Sequence, residues 1–406
     1  MSKLLKLLGK VATISLEWFL VFFICFAFFV RTSPVQTYLA QRATSYFSKE
    51  LNTRVSIKRV SIVFFNRIVL DGVNIEDRKG EKIAYMKSLF VTLKGINQIK
   101  QEIRLRQLKI DQGVFHFNQN AKTGKFNYDF IIDYFTTNDS QKSTSYIVRV
   151  DQISLKDIDL KYDDYRYEKK MGQIDYEHIH LKKLYLFADN FSFNHGTIKA
   201  AIKHLSLHER CGFNIKRFAG YIKVSDQGIR VKELRTKTNR SEAYLPKFNM
   251  LYSKWDDFLF FDDKVHFDAI VENSSVNMKD IRFFASELEG MNQVCKLKAE
   301  VTEPLKQLTI DKLHLEFGEN SILEGRLVLP DFRNLKQLNY NEYLSYAKIT
   351  TKDIELFKFP DITGIKPIEL NKYIKKFHFF ECSNLQITGS NQNSNIYAKR
   401  IKTKIG

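Results

Sequence analysis

The chain has 406 residues and a formal net charge of +18, with 64 Lys and Arg against 46 Asp and Glu. Only 6 Pro and 17 Gly are present, so no flexible linker is indicated, and 14% of the residues are aromatic. Such a basic chain favours anionic lipid surfaces, nucleic acid or acidic glycans as partners. The four cysteines are widely separated, which excludes a C-x-x-C metal site and a dense disulfide framework, although one bridge among Cys211, Cys295 and Cys382 stays open.

The N-terminus has the pattern of a membrane anchor. Residues 1–10 form a short basic tail, and residues 11–30 are almost wholly apolar. Twenty helical residues span about 30 Å, the thickness of a bilayer core. The proposed anchor side chains are Trp18, Phe19, Phe22, Phe23, Phe26 and Phe29. The alternative, a cleaved signal peptide, lacks small residues before a cleavage site. Since short basic tails stay in the cytoplasm, we expect a single-pass protein whose bulk lies outside it.

Residues 33–52 predict an amphipathic helix. Ser33 and Pro34 are typical of a helix start. The apolar positions of one helical face follow at Val35, Tyr38, Leu39, Ala43, Tyr46, Phe47 and Leu51. This helix either lies on the membrane or closes the first end of a sheet, and we favour the second because an apolar sheet interior needs an end cover.

From residue 53 to residue 406 the pattern predicts one long β domain. Apolar and polar residues alternate, two polar residues intervene, and the alternation resumes, as in Ile153-x-Leu155-x-x-Ile158-x-Leu160. The same spacing occurs in the segments Ile68–Ile75, Ile179–Leu186, Ile229–Leu234, Leu308–Phe317 and Phe380–Ile387. The extra residue would turn the apolar face over unless a bulge or corner absorbs it. We therefore expect bent strands that keep one apolar face.

Two short helices interrupt the predicted strands. Met278, Ile281, Phe284, Ala285 and Leu288 keep helical spacing, and Asp353 to Phe357 open a second segment. The last residues, I-K-T-K-I-G, have the pattern of a strand interior. We therefore expect the sheet to continue beyond residue 406 or to be completed by a partner.

Candidate chemical sites are few. His178, His180, His204 and His208 are the one histidine group, but they alternate with lysines on the polar face, so we interpret them as solvated and predict no metal site. The pairs Asp163–Asp164 and Asp262–Asp263 are interpreted as turn residues, because adjacent carboxylates on a strand point to opposite faces. No phosphate loop, nucleophile elbow or kinase motif occurs, and most aromatics take apolar positions. We predict no catalytic residue, no cofactor and no nucleic-acid partner.

In the order of its segments the chain resembles the AsmA-like superfamily, and most closely the N-terminal part of TamB-like proteins of Gram-negative envelopes. The segments that carry the resemblance are the anchor, the helix P-V-Q-T-Y-L-A-Q-R-A-T-S-Y-F-S-K-E-L-N, the strand R-V-S-I-K-R-V-S-I, and the segments Phe65–Asp77, Ile103–Phe117 and Val276–Ala285. This resemblance covers nearly the whole chain, although the long C-terminal remainder of TamB-like proteins is absent from the sequence.

The resemblance implies an elongated, folded-over antiparallel or mixed sheet with an apolar groove for lipid acyl chains. Its implied function is bridge-like transfer of phospholipid between the inner and outer membranes, from an inner-membrane anchor with the bulk of the chain in the periplasm. Such a protein supports outer-membrane homeostasis and has no enzymatic activity. About twenty strands at about 4.8 Å each would make a rod on the order of 100 Å long.

The expected groove-lining residues come from the repeated spacing. They are Ile68, Leu70, Val73, Ile75, Ile153, Leu155, Ile158, Leu160, Leu181, Leu184, Leu186, Leu313, Leu315 and Phe317. Their alternative fate is an ordinary closed core between two sheets. The alternative function is a periplasmic scaffold for outer-membrane protein assembly or secretion that pairs by an edge strand with an outer-membrane β-barrel protein. An envelope enzyme acting on lipid or glycan is a third hypothesis.

Overall fold

The structure is a computed structural model that describes residues 32–63, 66–137, 147–284, 288–328, 339–361, 364–390 and 394–405. Nineteen strands form a single mixed sheet, and two further strands form a small separate sheet. The helices are few and most are single turns. The prediction of a mainly β chain with a few short helices is therefore confirmed.

Helix α1 covers Ser33–Leu51 and lies against the first edge of the sheet. It ends at Asn52, whose φ of 50° places it in the left-handed region that stops a helix. The strands β1, Val55–Ser56, and β2, Arg59–Val63, follow. Thr37 Oγ1 donates to the Val60 carbonyl oxygen at 3.2 Å, and the Val60 amide donates back to Thr37 Oγ1 at 3.1 Å. The helix therefore satisfies backbone groups that an open strand edge would expose.

The long strands run in chain order from β3 to β16. Their bounds are β3 Arg67–Glu76, β4 Lys82–Asn97, β5 Glu102–Gln119, β6 Ile147–Asp164, β7 His178–Asn194, β8 Thr197–Glu209, β9 Asn214–Ser225, β10 Gly228–Thr238, β11 Glu242–Leu251, β12 His266–Asn277, β13 Val294–Pro304, β14 Thr309–Phe317, β15 Ser321–Val328 and β16 Asn339–Thr350. β17, Lys358–Asp361, and β18, Gly364–Pro367, form the small hairpin sheet. β19, Phe379–Ser390, then pairs with β16, and β20, Ser394–Tyr397, and β21, Arg400–Thr403, pair with β19.

From β2 to β16 each strand of the large sheet pairs with its neighbours in the chain, and β16 then pairs with β19. Among the described strands, β1 and β2 pair only with β3, and β20 and β21 pair only with β19. The sheet is therefore open, with its first and last strands at opposite edges.

One pair in the sheet is parallel. β5 and β6 run in the same direction over their full length, with Glu102 opposite Ile147 and Gln119 opposite Asp164. A parallel pair needs a crossover, and helix α2, Asp129–Thr137, lies within this connection. The sequence patterns missed this helix. Its Phe130 is buried against Leu51, Ile83 and Ala84, so α1 and α2 share a small core at this end.

The remaining described α-helices are single turns: α3 Phe261–Lys264, α4 Met278–Ile281, α5 Thr351–Ile354 and α6 Lys372–Lys375. Of the predicted helix that α4 begins, Phe284 lies outside α4, and it packs with Phe283 on Phe213, with ring centroids 5.1 and 5.6 Å away; the predicted Ala285 lies outside the described residues. α5 begins before the predicted Asp353, since the Thr350 side chain caps it by accepting the Asp353 amide.

The helices α4 and α5 share one structural role. Each carries a buried aspartate that binds a neighbouring hairpin turn. Asp280 accepts hydrogen bonds from Thr238 and Ser241, at the β10–β11 turn. Asp353 accepts from the Glu319 amide at 2.9 Å and from Ser321 Oγ at 2.6 Å, at the β14–β15 turn. These helices therefore fasten turns at one margin of the sheet.

In the part of the chain that the structure describes, no helix is both long and apolar enough to cross a bilayer. The predicted anchor and its side chains, Trp18, Phe19, Phe22, Phe23, Phe26 and Phe29, lie outside the described residues.

Candidate functional site

The two-residue breaks in the alternation share one backbone feature. In all six predicted copies the second residue of the break has a positive φ. These residues are Gly72 at 64°, Asp157 at 55°, Lys183 at 50°, Glu233 at 54°, Lys312 at 48° and Asn384 at 48°. A bulge residue in the left-handed region inserts one position and bends the strand. The strand register shifts at four of these positions, Asp157, Lys183, Glu233 and Lys312, so the expected bulge is confirmed there. At Gly72 and Asn384 the pairing continues without a shift, and the positive φ alone turns the strand.

Each bulge keeps the apolar side chains on one side of the strand. Asp157 is exposed, and the next residue, Ile158, is only 2% exposed. Ile158 packs in one cluster with Leu155, which precedes the bulge, and with Leu160, which follows it. We call the side that holds these residues the apolar face and the opposite side the polar side. The bulge therefore preserves a face that simple alternation would have lost.

Positive φ values of the same kind occur at other strand positions that were not recognised from the sequence. Gln112 in β5 has a φ of 52°, Asn190 in β7 has 54° and Asn273 in β12 has 42°. The residues after the first and last of these are Gly113 and Ser274, both buried. The repeated spacing has a large apolar residue after the break, so the positions before Gly113 and Ser274 do not match it. The same spacing matches both positions when Gly or Ser is allowed after the break.

The bulges of neighbouring strands line up across the sheet. Asp71 lies opposite Ser88 and Val73 opposite Met86, so Gly72 faces Lys87. Lys87 Nζ donates to Gln112 Oε1 at 2.7 Å, and Gln112 Nε2 lies 3.4 Å from Asp157 Oδ2. We call this line of residues, Gly72, Lys87, Gln112 and Asp157, the bulge row. Side-chain hydrogen bonds join its last three members on the polar side, from β4 to β6.

The structure places the predicted lining residues on the apolar face in two levels of burial. Val73, Ile153, Ile158, Leu184, Leu313 and Phe317 are buried. Ile68, Leu70, Ile75, Leu155, Leu160, Leu181, Leu186 and Leu315 are half-buried. The residue directly after the break is buried in each copy, and the other predicted lining residues are half-buried apart from Ile153 and Phe317, which lie further from the break on β6 and β14. The buried positions directly after the breaks are therefore flanked mainly by partly exposed ones.

Six of the predicted residues gather in one cluster on β6 and β7. Leu155 pairs with Leu186, Ile158 with Leu184 and Leu160 with Leu181. The cluster continues to β5 through Ile110 and Phe115 and to β8 through Leu205 and Leu207. The β3 and β14 residues are not part of this cluster. Phe317 on β14 instead packs edge-on against Phe357, with ring centroids 5.2 Å apart.

One row of the apolar face is continuous over six strands. Its side chains are Leu70, Leu89, Ile110, Leu155, Leu186 and Leu205, each opposite the next in the strand register. All six are half-buried. We call them the aliphatic row. Five strand spacings make it about 24 Å long. Leu89, Ile110 and Leu205 were not among the predicted lining residues, although each lies in an alternating apolar run.

The histidine prediction is wrong for His178, which is buried beside Asp163. His178 Nδ1 lies 3.0 Å from Asp163 Oδ1 in the interior. Asp163 is also wrongly interpreted as a turn residue, because it lies in β6 and is 1% exposed. Lys161 and His116 contact its other oxygen at 2.8 and 3.2 Å. The aspartate that adjoins it, Asp164, is buried too and is paired with Arg166. The alternation predicts which face of a strand a polar residue occupies. It does not predict that the polar residues at the end of β6 and the start of β7 are buried in ion pairs.

The Asp163 carboxylate is held ionised by its neighbours. Burial alone would raise its pKa, but hydrogen bonds from Lys161 and His178 and the charge of Lys169 lower the pKa far below the ordinary 3.8. Lysine ammonium groups on the same oxygens repel a metal ion. Among the described residues, no group of His, Cys, Asp or Glu side chains has the arrangement of a metal site.

The three described cysteines are free thiols, so the bridge left open by the sequence does not form. Burial and the neighbouring Glu209 raise the pKa of Cys211 to about 11, and burial raises the pKa of Cys295 to about 11. Neither thiol is activated as a nucleophile.

No model of a known protein family matches the chain, and no curated protein sequence is detectably similar to it.

Proposed function

We propose that the bulges fold the long sheet over into an elongated groove, and that the chain is a membrane-anchored, bridge-like lipid transfer protein. The observation that carries this proposal is the aliphatic row: six large side chains, on six successive strands, that all retain solvent contact. In a closed core such a row would be covered by a second layer. A continuous apolar row that is partly exposed can make apolar contacts with a lipid acyl chain along its length.

Acyl chains gain from this surface by leaving water. Burial contributes about 0.8 kcal/mol per CH2 group, so a chain lying along the row is held without any polar contact. The headgroup stays in solvent at the open side. Since each strand presents a similar aliphatic side chain, no single position holds the lipid strongly, which suits passage along the sheet.

The proposed cellular setting follows from the N-terminal pattern and from the AsmA-like, TamB-like resemblance. Residues 11–30 would anchor the chain in the inner membrane of a Gram-negative cell, with the sheet in the periplasm. Phospholipid would move between inner and outer membranes along the sheet. The net charge of +18 favours contact with anionic lipid surfaces.

Site-specific photo-crosslinking tests the groove directly. Leu155 and Ser154 are neighbours on β6, are both half-buried, and point to opposite sides of the sheet. A benzophenone side chain at Leu155 should crosslink phospholipid in intact cells, and the same group at Ser154 should not. The crosslinked lipid is identified by mass spectrometry, which also shows which phospholipid the chain carries.

A substitution pair completes the test. Leu155→Glu should abolish lipid co-purification because a carboxylate interrupts the aliphatic row, whereas Ser154→Glu should leave it unchanged. Equal crosslinking at both positions, or a protein that purifies without lipid, would show that the apolar face is a closed core.

A second function, scaffolding of outer-membrane protein assembly, is favoured by the last edge of the sheet. Ile396, Tyr397 and Ile401 on β20 and β21 are more than half exposed, and both strands pair on one side only among the described strands. Such an edge suits strand addition by a partner such as an outer-membrane β-barrel protein. Proline substitution of Ile396 should remove a barrel protein from pull-downs if this function operates, and lipid crosslinking should persist.

A further inference from the structure

A cleft of about 860 Å³ lies between helix α1 and the polar side of the sheet. Tyr38 and Gln41 line it from the helix, and Lys58, Asp71, Tyr85 and Lys87 line it from the sheet. It lies at the first strand of the bulge row, on the side opposite the apolar face. The proposed groove therefore does not account for this cleft.

The single carboxylate of the cleft is already neutralised. Asp71 Oδ2 accepts from Arg59 Nε at 2.9 Å and Nη2 at 2.6 Å, and Asp71 Oδ1 accepts from Ser88 Oγ at 2.8 Å. In the described part of the chain, Lys58 and Lys87 form no ion pair within 4 Å. Lys87 instead donates to the neutral Gln112 amide. Three cationic side chains, Arg59, Lys58 and Lys87, and one carboxylate therefore line the cleft, which leaves a net positive charge at its wall even though the charge of Lys58 also acts on Asp71.

We propose that this cleft binds a phosphate-bearing anion. Lysine ammonium groups are common phosphate ligands, and each forms short, charge-assisted hydrogen bonds with phosphate oxygens. The Tyr38 and Tyr85 hydroxyls and the Gln41 amide supply additional donors. A site of this volume is larger than an inorganic ion needs and matches the range for small organic ligands. It can therefore admit a phosphate together with a glycerol-sized group.

Two sources share this chemistry, a lipid headgroup and a free phosphate compound. The first turn of α1 contains Pro34, which also lines the cleft, and the predicted anchor ends at Val30. On the proposed anchoring, the cleft therefore lies at the membrane surface, within reach of a headgroup whose acyl chains stay in the bilayer. Binding there would set the orientation of the first end of the sheet relative to the membrane surface.

The test is isothermal titration calorimetry of the full chain in an uncharged detergent. Three probes are used: inorganic phosphate, short-chain phosphatidylglycerol and short-chain phosphatidylcholine. We expect saturable binding of phosphatidylglycerol, weakened at least about tenfold in Lys58→Gln/Lys87→Gln and retained in Lys58→Arg/Lys87→Arg. The matched control is Lys216→Gln/Lys232→Gln, which removes two exposed lysines of β9 and β10 and should bind like the parent chain.

Phosphatidylglycerol that binds more tightly than inorganic phosphate assigns the cleft to a lipid headgroup, and equal affinities assign it to a soluble phosphate. No saturable binding of any probe, or unchanged binding by the folded Lys58→Gln/Lys87→Gln chain, overturns the proposal. Crosslinking of lipid at Leu155 in this variant is a separate readout, so failure of the cleft and failure of the groove are distinguished.

Discussion

His178 contacts Asp163 through one ring nitrogen and the Tyr167 backbone through the other. His178 Nδ1 lies 3.0 Å from Asp163 Oδ1, and His178 Nε2 lies 2.9 Å from the Tyr167 carbonyl oxygen. The pair fastens the loop that follows β6 to the start of β7.

Asp163→Asn should lower the free energy of unfolding by about 3 kcal/mol at neutral pH, because it removes the buried carboxylate charge that pairs with the ammonium groups of Lys161 and Lys169. The folded-state pKa of Asp163 lies below 3.8, so its stabilisation is present above pH 3.8 and is lost as the pH falls further. The difference between parent and variant should therefore shrink in acid. Urea unfolding followed by circular dichroism at neutral and acid pH measures both effects.

The matched control is Asp159→Asn. The Asp159 carboxylate pairs with His180 at 2.9 Å but is 41% exposed, so its loss should cost less than about 1 kcal/mol. Equal effects of the two substitutions would contradict the role given to burial.

Lys183→Gly should raise the urea midpoint, because glycine adopts the φ of 50° at this bulge without the cost of about 1 kcal/mol that a side chain carries there. Lys183→Ile should lower the midpoint, since β-branched residues tolerate this region least. The control is Lys182→Gly, one residue earlier at a negative φ, which should be destabilising. A destabilising Lys183→Gly would argue against the bulge.

Gly113→Ala should destabilise the sheet by about 1–3 kcal/mol through overpacking. An added Cβ would lie 2.9 Å from Ile158 Cδ1, and Ile158 is 2% exposed and cannot move away freely. Ile158→Val removes that atom, so the double variant should be less destabilised than the sum of the two single variants. Phe115 Cε2 also lies 2.9 Å from the added Cβ, which makes the rescue partial. Strict additivity in a double-mutant cycle would show that the two strands are not packed in this register.

Thr37→Val should cost about 1–3 kcal/mol and promote self-association. The substitution keeps the shape of the side chain but removes the hydroxyl that bonds both the Val60 amide and the Val60 carbonyl. An edge strand released from its helix is free to pair with another chain. Thermal unfolding and light scattering measure the two effects. Ser45→Ala, which removes an exposed bond within the same helix, should change neither.

The sequence predicted the bulges well because their cause is local. A fixed spacing of apolar residues around a two-residue break is enough to locate Asp157 and Lys183, and the φ values follow from keeping one face. The same rule overlooked Gln112, since the glycine after it carries no apolar signal. Local periodicity thus predicts which residues share a face of the sheet. It does so only where the positions on that face carry large apolar side chains.

The parts that sequence reasoning missed depend on contacts between distant residues. Helix α2 lies in the crossover between the parallel strands β5 and β6, and its Phe130 packs against Leu51 of α1. The burial of His178 depends on Asp163, fifteen positions away, and on the loop carbonyl of Tyr167. Neither contact leaves a periodic mark in the chain. The solvent exposure of the aliphatic row likewise depends on how six neighbouring strands are arranged. It cannot be read from the sequence of any single strand.

The pairing of strands in chain order makes the large sheet close to a one-dimensional array. Each hairpin is stabilised by the hairpins on either side, so local unfolding can stay confined to one segment while the remainder holds its structure. Duplication of a hairpin would lengthen such an array without altering its cross-section. Length is therefore the property of this architecture that evolution can change most easily, one pair of strands at a time.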